Sequence, residues 1–195
     1  QTGAGAVLNR LKPTAGSSLV VFGCGTVGMS AIMAAHLCPC KNIIAVGGNE
    51  ESLVLAKELG ATHTINRKKC DCIVSEIKKI TEGGADYAID TSGVPDFVKK
   101  ALACVKFLGT AVVLGVTGEL TIQVQEELMG EGKSLIGIVE GDSNPKLFIP
   151  QLISYYKQGK FPFDKLIRVF EFDEINEAFE ASHSGKAIKA LLKMR

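Results

Sequence analysis

The sequence predicts an α/β protein: a doubly wound, six-stranded parallel sheet, followed by a C-terminal segment with a different rhythm. Three observations predict it. Short β-rich runs alternate with helical segments through most of the 195 residues; the runs are apolar without interruption, as strands buried on both faces are; and a glycine-rich turn joins the first run to the first long helix.

The predicted strands are Leu19-Val20-Val21-Phe22, Ile43-Ile44-Ala45-Val46, the shorter His63-Thr64-Ile65, Tyr87-Ala88-Ile89-Asp90, Thr110-Ala111-Val112-Val113-Leu114 and Leu135-Ile136-Gly137-Ile138-Val139. Helices are predicted between them at 27–37, 50–59, 72–81 and 95–105, with Gly60 and Gly83 as left-handed residues just past two of the helix ends. Right-handed crossovers between parallel strands then give the order 3-2-1-4-5-6. Beyond Val139 the pattern changes. An amphipathic helix is predicted at 146–158, with Leu147, Ile149, Leu152, Ile153 and Tyr156 near helical spacing. An extended run at 167–172, a helix at 174–182 capped by Asp173 and a last strand at 188–192 follow. This tail has too little core to stand alone and is expected to pack on the rest.

The chain carries 22 Lys and Arg against 21 Asp and Glu, a net charge of +1. That balance provides no basic field for nucleic acid and no polybasic run for an anionic membrane surface, so neither is an expected partner. No apolar stretch approaches the ~20 residues that a bilayer span needs, and no charged-then-apolar leader is present, so a cytoplasmic protein is expected. A chain opening on Gln1 reads as a piece of a longer one. The six cysteines, Cys24, Cys38, Cys40, Cys70, Cys72 and Cys104, read as free thiols, because a Cys-x-Cys pair is tighter than the usual zinc clip; a site assembled from both pairs is the alternative. His36, His63 and His183 fall at element ends without a cysteine at ligand spacing, and no metal ligand is assigned.

The strongest chemical signal is Gly23-Cys24-Gly25-Thr26-Val27-Gly28, a G-x-G-x-x-G between strand and helix. Gly23 permits the tight turn, Gly25 lets backbone N–H groups approach a pyrophosphate, and Gly28 lets the helix lie close to the sheet. The N-terminus at Thr26 and Val27 offers partial positive charge to phosphates. This is the dinucleotide-binding, Rossmann arrangement. At the end of the second strand, where an acid normally receives the ribose hydroxyls, stand Gly47, Gly48 and Asn49. Removing the acid removes repulsion of a 2′-phosphate, and no Arg or Lys follows in that turn to clamp one. NADP or NAD is therefore expected as cofactor, in relaxed use leaning toward NADP. A methyltransferase using S-adenosylmethionine also suits a glycine turn, but normally wants an acid where Gly47 stands. A non-catalytic dinucleotide-binding module is the third reading.

Gln1-Thr2-Gly3-Ala4-Gly5-Ala6, the glycine loop, Glu58-Leu59-Gly60-Ala61-Thr62, Gly83-Gly84-Ala85-Asp86-Tyr87 and Ser184-Gly185-Lys186 together resemble the medium-chain zinc alcohol dehydrogenases. Val139-Glu140-Gly141-Asp142-Ser143 and Gln158-Gly159-Lys160-Phe161-Pro162-Phe163 are especially similar to the aryl-alcohol (benzyl-alcohol) branch. The resemblance implies a cofactor domain at 1–142 and a C-terminal segment of the catalytic domain at 143–195. It also implies zinc in the full-length protein only, with its last cysteine ligand just upstream of Gln1. By the same resemblance Thr2 lies against the nicotinamide, although it also suits a helix cap; Val27 stands behind the nicotinamide ring. Thr91, Leu114 and Val139 line the nicotinamide ribose and carboxamide, or simply pack the core. Lys189 stands where an arginine often meets the pyrophosphate, and supplies a point charge without the bidentate fork. The implied activity is hydride transfer between NAD(P) and a primary alcohol, aromatic ones included, with the aldehyde as product, zinc polarising the alcohol oxygen. The implied assembly is a homodimer or tetramer through the sheet edge at Leu135-Ile136-Gly137-Ile138-Val139.

Overall fold

A computed structural model describes residues 1–194. Six parallel strands form the main sheet: β1 (Ser18–Phe22), β2 (Asn42–Gly47), β3 (His63–Asn66), β4 (Ala85–Asp90), β5 (Val105–Val113) and β6 (Ser134–Gly137), in the order β3-β2-β1-β4-β5-β6. This is the order expected from the sequence.

Period-two alternation splits each central strand between two cores. Leu19, Val21, Ile43, Ala45, Ile89 and Val112 face one apolar cluster, while Val20, Phe22, Ile44, Val46, Ala88 and Ala111 face another. Helix α2 (Thr26–Leu37) fills the first cluster with Met29, Ile32 and Met33; α4 (Ile73–Ile80) and α5 (Pro95–Cys104) fill the second with Ile77 and Leu102. Helix α3 (Glu50–Glu58) joins β2 to β3, its N-terminus capped by the Asn49 side chain, which accepts from the Ser52 N–H at 3.2 Å.

The first helix, α1 (Thr2–Gly5), running on as a wider π-turn through Ala6–Leu11, has no counterpart in the sequence reading. Its glycines disfavour a helix by propensity, and contact explains them. A Cβ on Gly3 would stand 2.0 Å from the Val27 carbonyl oxygen, and one on Gly5 would stand 2.3 Å from that of Gly141. The helix is thereby pressed onto α2 and onto the turn after β6.

Three further expectations are corrected. Helix α4 ends one residue earlier than expected, so Glu82, at φ +56°, takes the first left-handed position and Gly83 the next. Strand β5 starts at Val105 rather than 110, because a register shift between its pairings with Ala85 and Tyr87 absorbs a bulge with Leu108 at φ +60°. Strand β6 stops at Gly137, leaving Val139 beyond it and 81% exposed.

The tail packs where its apolar content requires. Helix α6 (Pro145–Lys157) sends Phe148 and Leu152 into the same cluster as α2, joined by Phe161 and Leu166. Of the five side chains expected to form its inner face, only Leu152 is buried; Leu147, Ile149, Ile153 and Tyr156 stay outside the core. Strands β7 (Ile167–Glu171) and β8 (Lys189–Lys193) pair in parallel across α7 (Ile175–His183), closing a small cluster of Phe170, Ala178, Ala181 and Ala187. No helix among the described residues is long and apolar enough to cross a membrane.

Candidate dinucleotide site

The glycine loop lies at the carboxyl end of β1, where neighbouring strands depart in opposite directions to β2 and β4. Open α/β sheets bind ligands at such a switch point. Gly23 turns the chain at φ +104°, and a Cβ there would press the Thr91 Oγ1 at 2.5 Å. A Cβ on Gly28 would stand 1.9 Å from the Gly23 carbonyl oxygen, so this glycine is required by packing. Gly25 differs from both. It is exposed, sits in ordinary extended backbone at φ −86°, and a Cβ there would meet nothing within 4 Å.

That open space lies over the N-terminus of α2, which no side chain caps. The uncapped N–H groups and the open space above Gly25 fit a pyrophosphate. The Thr26 hydroxyl is not a cap; it donates to the Ile188 carbonyl at 2.9 Å. This bond brings the first residue of β8, Lys189, into the neighbourhood of the helix N-terminus, with the lysine side chain exposed.

Thr91 is half-buried, and its hydroxyl is spent on the loop itself, donating to the Phe22 carbonyl at 2.9 Å and approaching that of Gly23 at 3.4 Å. Asp90, fully buried, organises the adjoining turn: its carboxylate accepts from the Ser92 hydroxyl at 2.6 Å and from the N–H groups of Ser92 and Gly93 at 3.2 and 3.0 Å. The Leu114 N–H donates to the Asp90 carbonyl at 2.9 Å, which fixes the end of β5 beside the same turn. Val139 follows β6, the edge strand beside β5, one residue after Ile138, whose N–H donates to the Val113 carbonyl at 3.3 Å.

Thr2 and Val27 face one another across α1 and α2. With Gln1, Thr26, Ile149 and Phe163 they line part of a cavity of about 460 Å³. Glu140, given no site role by the sequence, holds this corner: its carboxylate accepts from the Gln1 side-chain amide at 2.7 Å and from the Thr2 hydroxyl at 3.3 Å.

At the end of β2, Gly47 is buried against Cys24, whose Sγ would stand 2.8 Å from a Cβ on the glycine. Burial pushes the Cys24 thiol up to about 11, so it stays protonated near neutral pH. Asn49 is committed to capping α3. Of the two acids after it, Glu50 pairs with Lys69 at 2.6 Å and accepts from the Asn66 amide at 2.6 Å, bonds that hold its carboxyl below the usual range. The expectation that no basic side chain reaches this turn is corrected. Strand β3 runs parallel to β2 with Asn66 opposite Gly47, and the Arg67 N–H donates to the Gly47 carbonyl at 2.8 Å. Arg67 thus arrives at the turn from another strand, a neighbour that local sequence does not reveal.

The cysteines are all free thiols, and among the described residues no three His, Cys, Asp or Glu side chains converge on a possible metal position. A zinc ligand set does not fit the described residues.

A two-core parallel sheet with an open glycine cradle at its switch point is the architecture of doubly wound cofactor-binding domains. The profile of the zinc-binding dehydrogenases matches residues 26–154, and the chain belongs to that family. It is 38% identical to the geraniol dehydrogenase of Castellaniella defragrans over 194 residues, covering 98% of this chain and 52% of that protein. The crystal structure of benzyl alcohol dehydrogenase from Acinetobacter calcoaceticus superposes with a TM-score of 0.95 at 44% identity, over 100% of this chain and 54% of that one. The 2R,3R-butanediol dehydrogenase of Bacillus subtilis follows with a TM-score of 0.87 at 29% identity, over 100% of this chain and 55% of that one. The chain therefore spans about half the length of the curated relatives it matches. Family membership leaves the methyltransferase reading without support.

Proposed function

We propose that this chain is the cofactor-binding unit of an NAD(P)-dependent alcohol dehydrogenase that transfers hydride between a primary, aromatic-type alcohol and the nicotinamide. The observation that carries the reading is Gly25, a glycine demanded neither by packing nor by backbone conformation, with open space above an uncapped helix N-terminus. The bound dinucleotide would supply the hydride acceptor. The chain's own residues do the positioning: Gly23, Gly25, Thr26, Val27 and Gly28 receive the pyrophosphate, with Lys189 as a nearby positive charge. Gly47, Gly48 and Asn49 face the adenosine ribose. Thr2, Val27, Thr91, Leu114 and Val139 serve the nicotinamide end. Residues 1–142 form the cofactor domain in this reading, and 143–195 belong with the catalytic domain.

Zinc, where the whole protein holds it, takes its ligands outside this chain, and no step is assigned to it here. The aromatic preference rests on likeness to the benzyl alcohol enzyme, and the primary alcohol on likeness to both that and the geraniol enzyme. The cytoplasm is the proposed compartment, and the β6 edge, with Leu135 and Ile136 half-buried, is proposed to pair with a second copy. Titration calorimetry of the chain with NAD and NADP tests the reading. Binding of a dinucleotide is expected, without alcohol-dependent reduction even when zinc is added. The whole protein should reduce NAD(P) with a benzylic alcohol. Failure to bind either dinucleotide, or zinc-dependent turnover by the chain alone, would overturn it.

A further inference from the structure

We infer that the Arg67 guanidinium, held between Gly48 and the Phe97 ring, takes the 2′-phosphate of NADP and makes Arg67 the residue that decides cofactor choice. The inference rests on the dinucleotide reading above and extends it to a residue that the glycine motif does not contain.

The geometry is specific to the end of β2. A Cβ on Gly48 would stand 2.8 Å from the Arg67 Nε and 3.3 Å from both its Cζ and Nη2, so the guanidinium lies directly against this glycine's backbone. On its other side the Cζ stands 5.7 Å from the centre of the Phe97 ring. Phe97 in turn packs on Phe22, with ring centres 5.9 Å apart, and Phe22 is the last residue of β1 before Gly23. The arginine is thus oriented by a glycine and an aromatic face that both belong to the cofactor end of the sheet.

Its charge is also available. Among the described residues no carboxylate forms an ion pair with Arg67, whereas Glu50 is consumed by Lys69 and Asn66. Glu51 lies along a separate groove with Lys165, Arg168 and Lys186, and Lys100, over the same Phe97 ring, is paired with Asp96. A planar guanidinium with free N–H groups matches the oxygens of a phosphate monoester, and offers much less to the neutral hydroxyl of NAD. Gly47 contributes by absence, since a carboxylate there would compete for Arg67 and repel the phosphate.

Calorimetry on the chain with four probes separates the possibilities: NADP, NAD, 2′,5′-ADP and 5′-AMP. The parent is expected to bind NADP more tightly than NAD, and 2′,5′-ADP more tightly than 5′-AMP, with both preferences weakening as salt is raised. Arg67→Gln should weaken NADP and 2′,5′-ADP roughly ten- to hundredfold, the scale of a lost charged hydrogen bond, and leave NAD and 5′-AMP within about twofold. Arg67→Lys should restore part of the preference. The arginine is exposed, so the variants should melt with the parent. Equal losses for NADP and NAD would mean that Arg67 only packs on Phe97, and would overturn the inference. So would a parent that binds 2′,5′-ADP no better than 5′-AMP. If the parent binds none of the four probes, the dinucleotide reading itself fails, a separate and visible outcome.

Discussion

The Thr26 hydroxyl donates to the Ile188 carbonyl at 2.9 Å, joining two residues that lie 162 positions apart in the chain. One opens the helix behind the glycine loop, and the other precedes the last strand. The C-terminal segment is therefore tied to the phosphate end of the cofactor site by a specific bond as well as by apolar packing. Thr26→Val removes the donor and leaves a half-buried carbonyl unsatisfied. The expected cost is about 1 kcal/mol, read as a fall of roughly 2–4 °C in melting temperature for a chain of this size. Dinucleotide affinity should fall further than stability, because Lys189 loses its anchor. A variant that melts lower but binds as before would separate Lys189 from the pyrophosphate.

The two outer glycines and the middle one make opposite predictions. Gly28→Ala places a Cβ 1.9 Å from the Gly23 carbonyl, which forces α2 away from the sheet, and should destabilise the chain whether or not cofactor is present. The Cβ of Gly25→Val meets no protein atom within 4 Å, so the variant should fold like the parent and lose the melting shift on adding NAD(P). If Gly25→Val still shifts with cofactor, the loop is not the phosphate site.

Restoring the acid at the end of β2 should reverse cofactor preference. Gly47→Asp adds an acceptor for the ribose hydroxyls and should move the balance toward NAD by roughly 1 to 3 kcal/mol, as for a hydrogen bond to a charged group. Its Cβ would press the Cys24 Sγ at 2.8 Å, so the substitution is best made together with Cys24→Ala, and compared with Cys24→Ala alone. An unchanged ratio of the two dissociation constants would show that position 47 does not face the ribose.

Much of this was legible in the sequence, for identifiable reasons. Strand order followed from apolar runs and crossover handedness, because a strand buried on both faces leaves little choice of residue. The glycine loop was legible because three functions demand three glycines at fixed spacing. Arg67 was hidden, since its closeness to Gly48 comes from the β2–β3 register and not from local spacing. Glu140 was hidden likewise, meeting Thr2 across 138 positions. The first helix was obscured because the residues that permit its close packing, Gly3 and Gly5, are those that argue against a helix. In α6 the spacing of apolar residues did not identify the buried face, since several of them stay exposed while Phe148 turns inward.

Cysteine reactivity should divide sharply. Burial raises the thiols of Cys24 and Cys40 to about 11 and that of Cys104 to about 12, leaving little thiolate at neutral pH. Cys72 is exposed, and hydrogen bonds from Ser75 lower its value. Alkylation by iodoacetamide should therefore label Cys72 well before those three, as read by peptide mass spectrometry, and Ser75→Ala should slow it. Earlier labelling of Cys24 would mean that the end of β2 opens in solution.

Asp86 sets a pH dependence at the opposite end of the sheet. Burial pushes its carboxyl up, but the Lys106 ammonium at 2.6 Å and the Ser18 N–H at 2.8 Å outweigh this and leave it below its ordinary value. The unfolded carboxyl takes its proton first, near pH 4. The stabilisation is therefore complete above that value, declines as the pH falls, and is gone once the folded carboxyl is also protonated. Asp86→Asn should cost about 1 kcal/mol at pH 7, a charged hydrogen bond discounted for partial exposure, and less at pH 3. Urea melts of both proteins at the two pH values measure the difference. An equal gap at both would assign the effect to packing around β1 and β4 rather than to the carboxylate's charge.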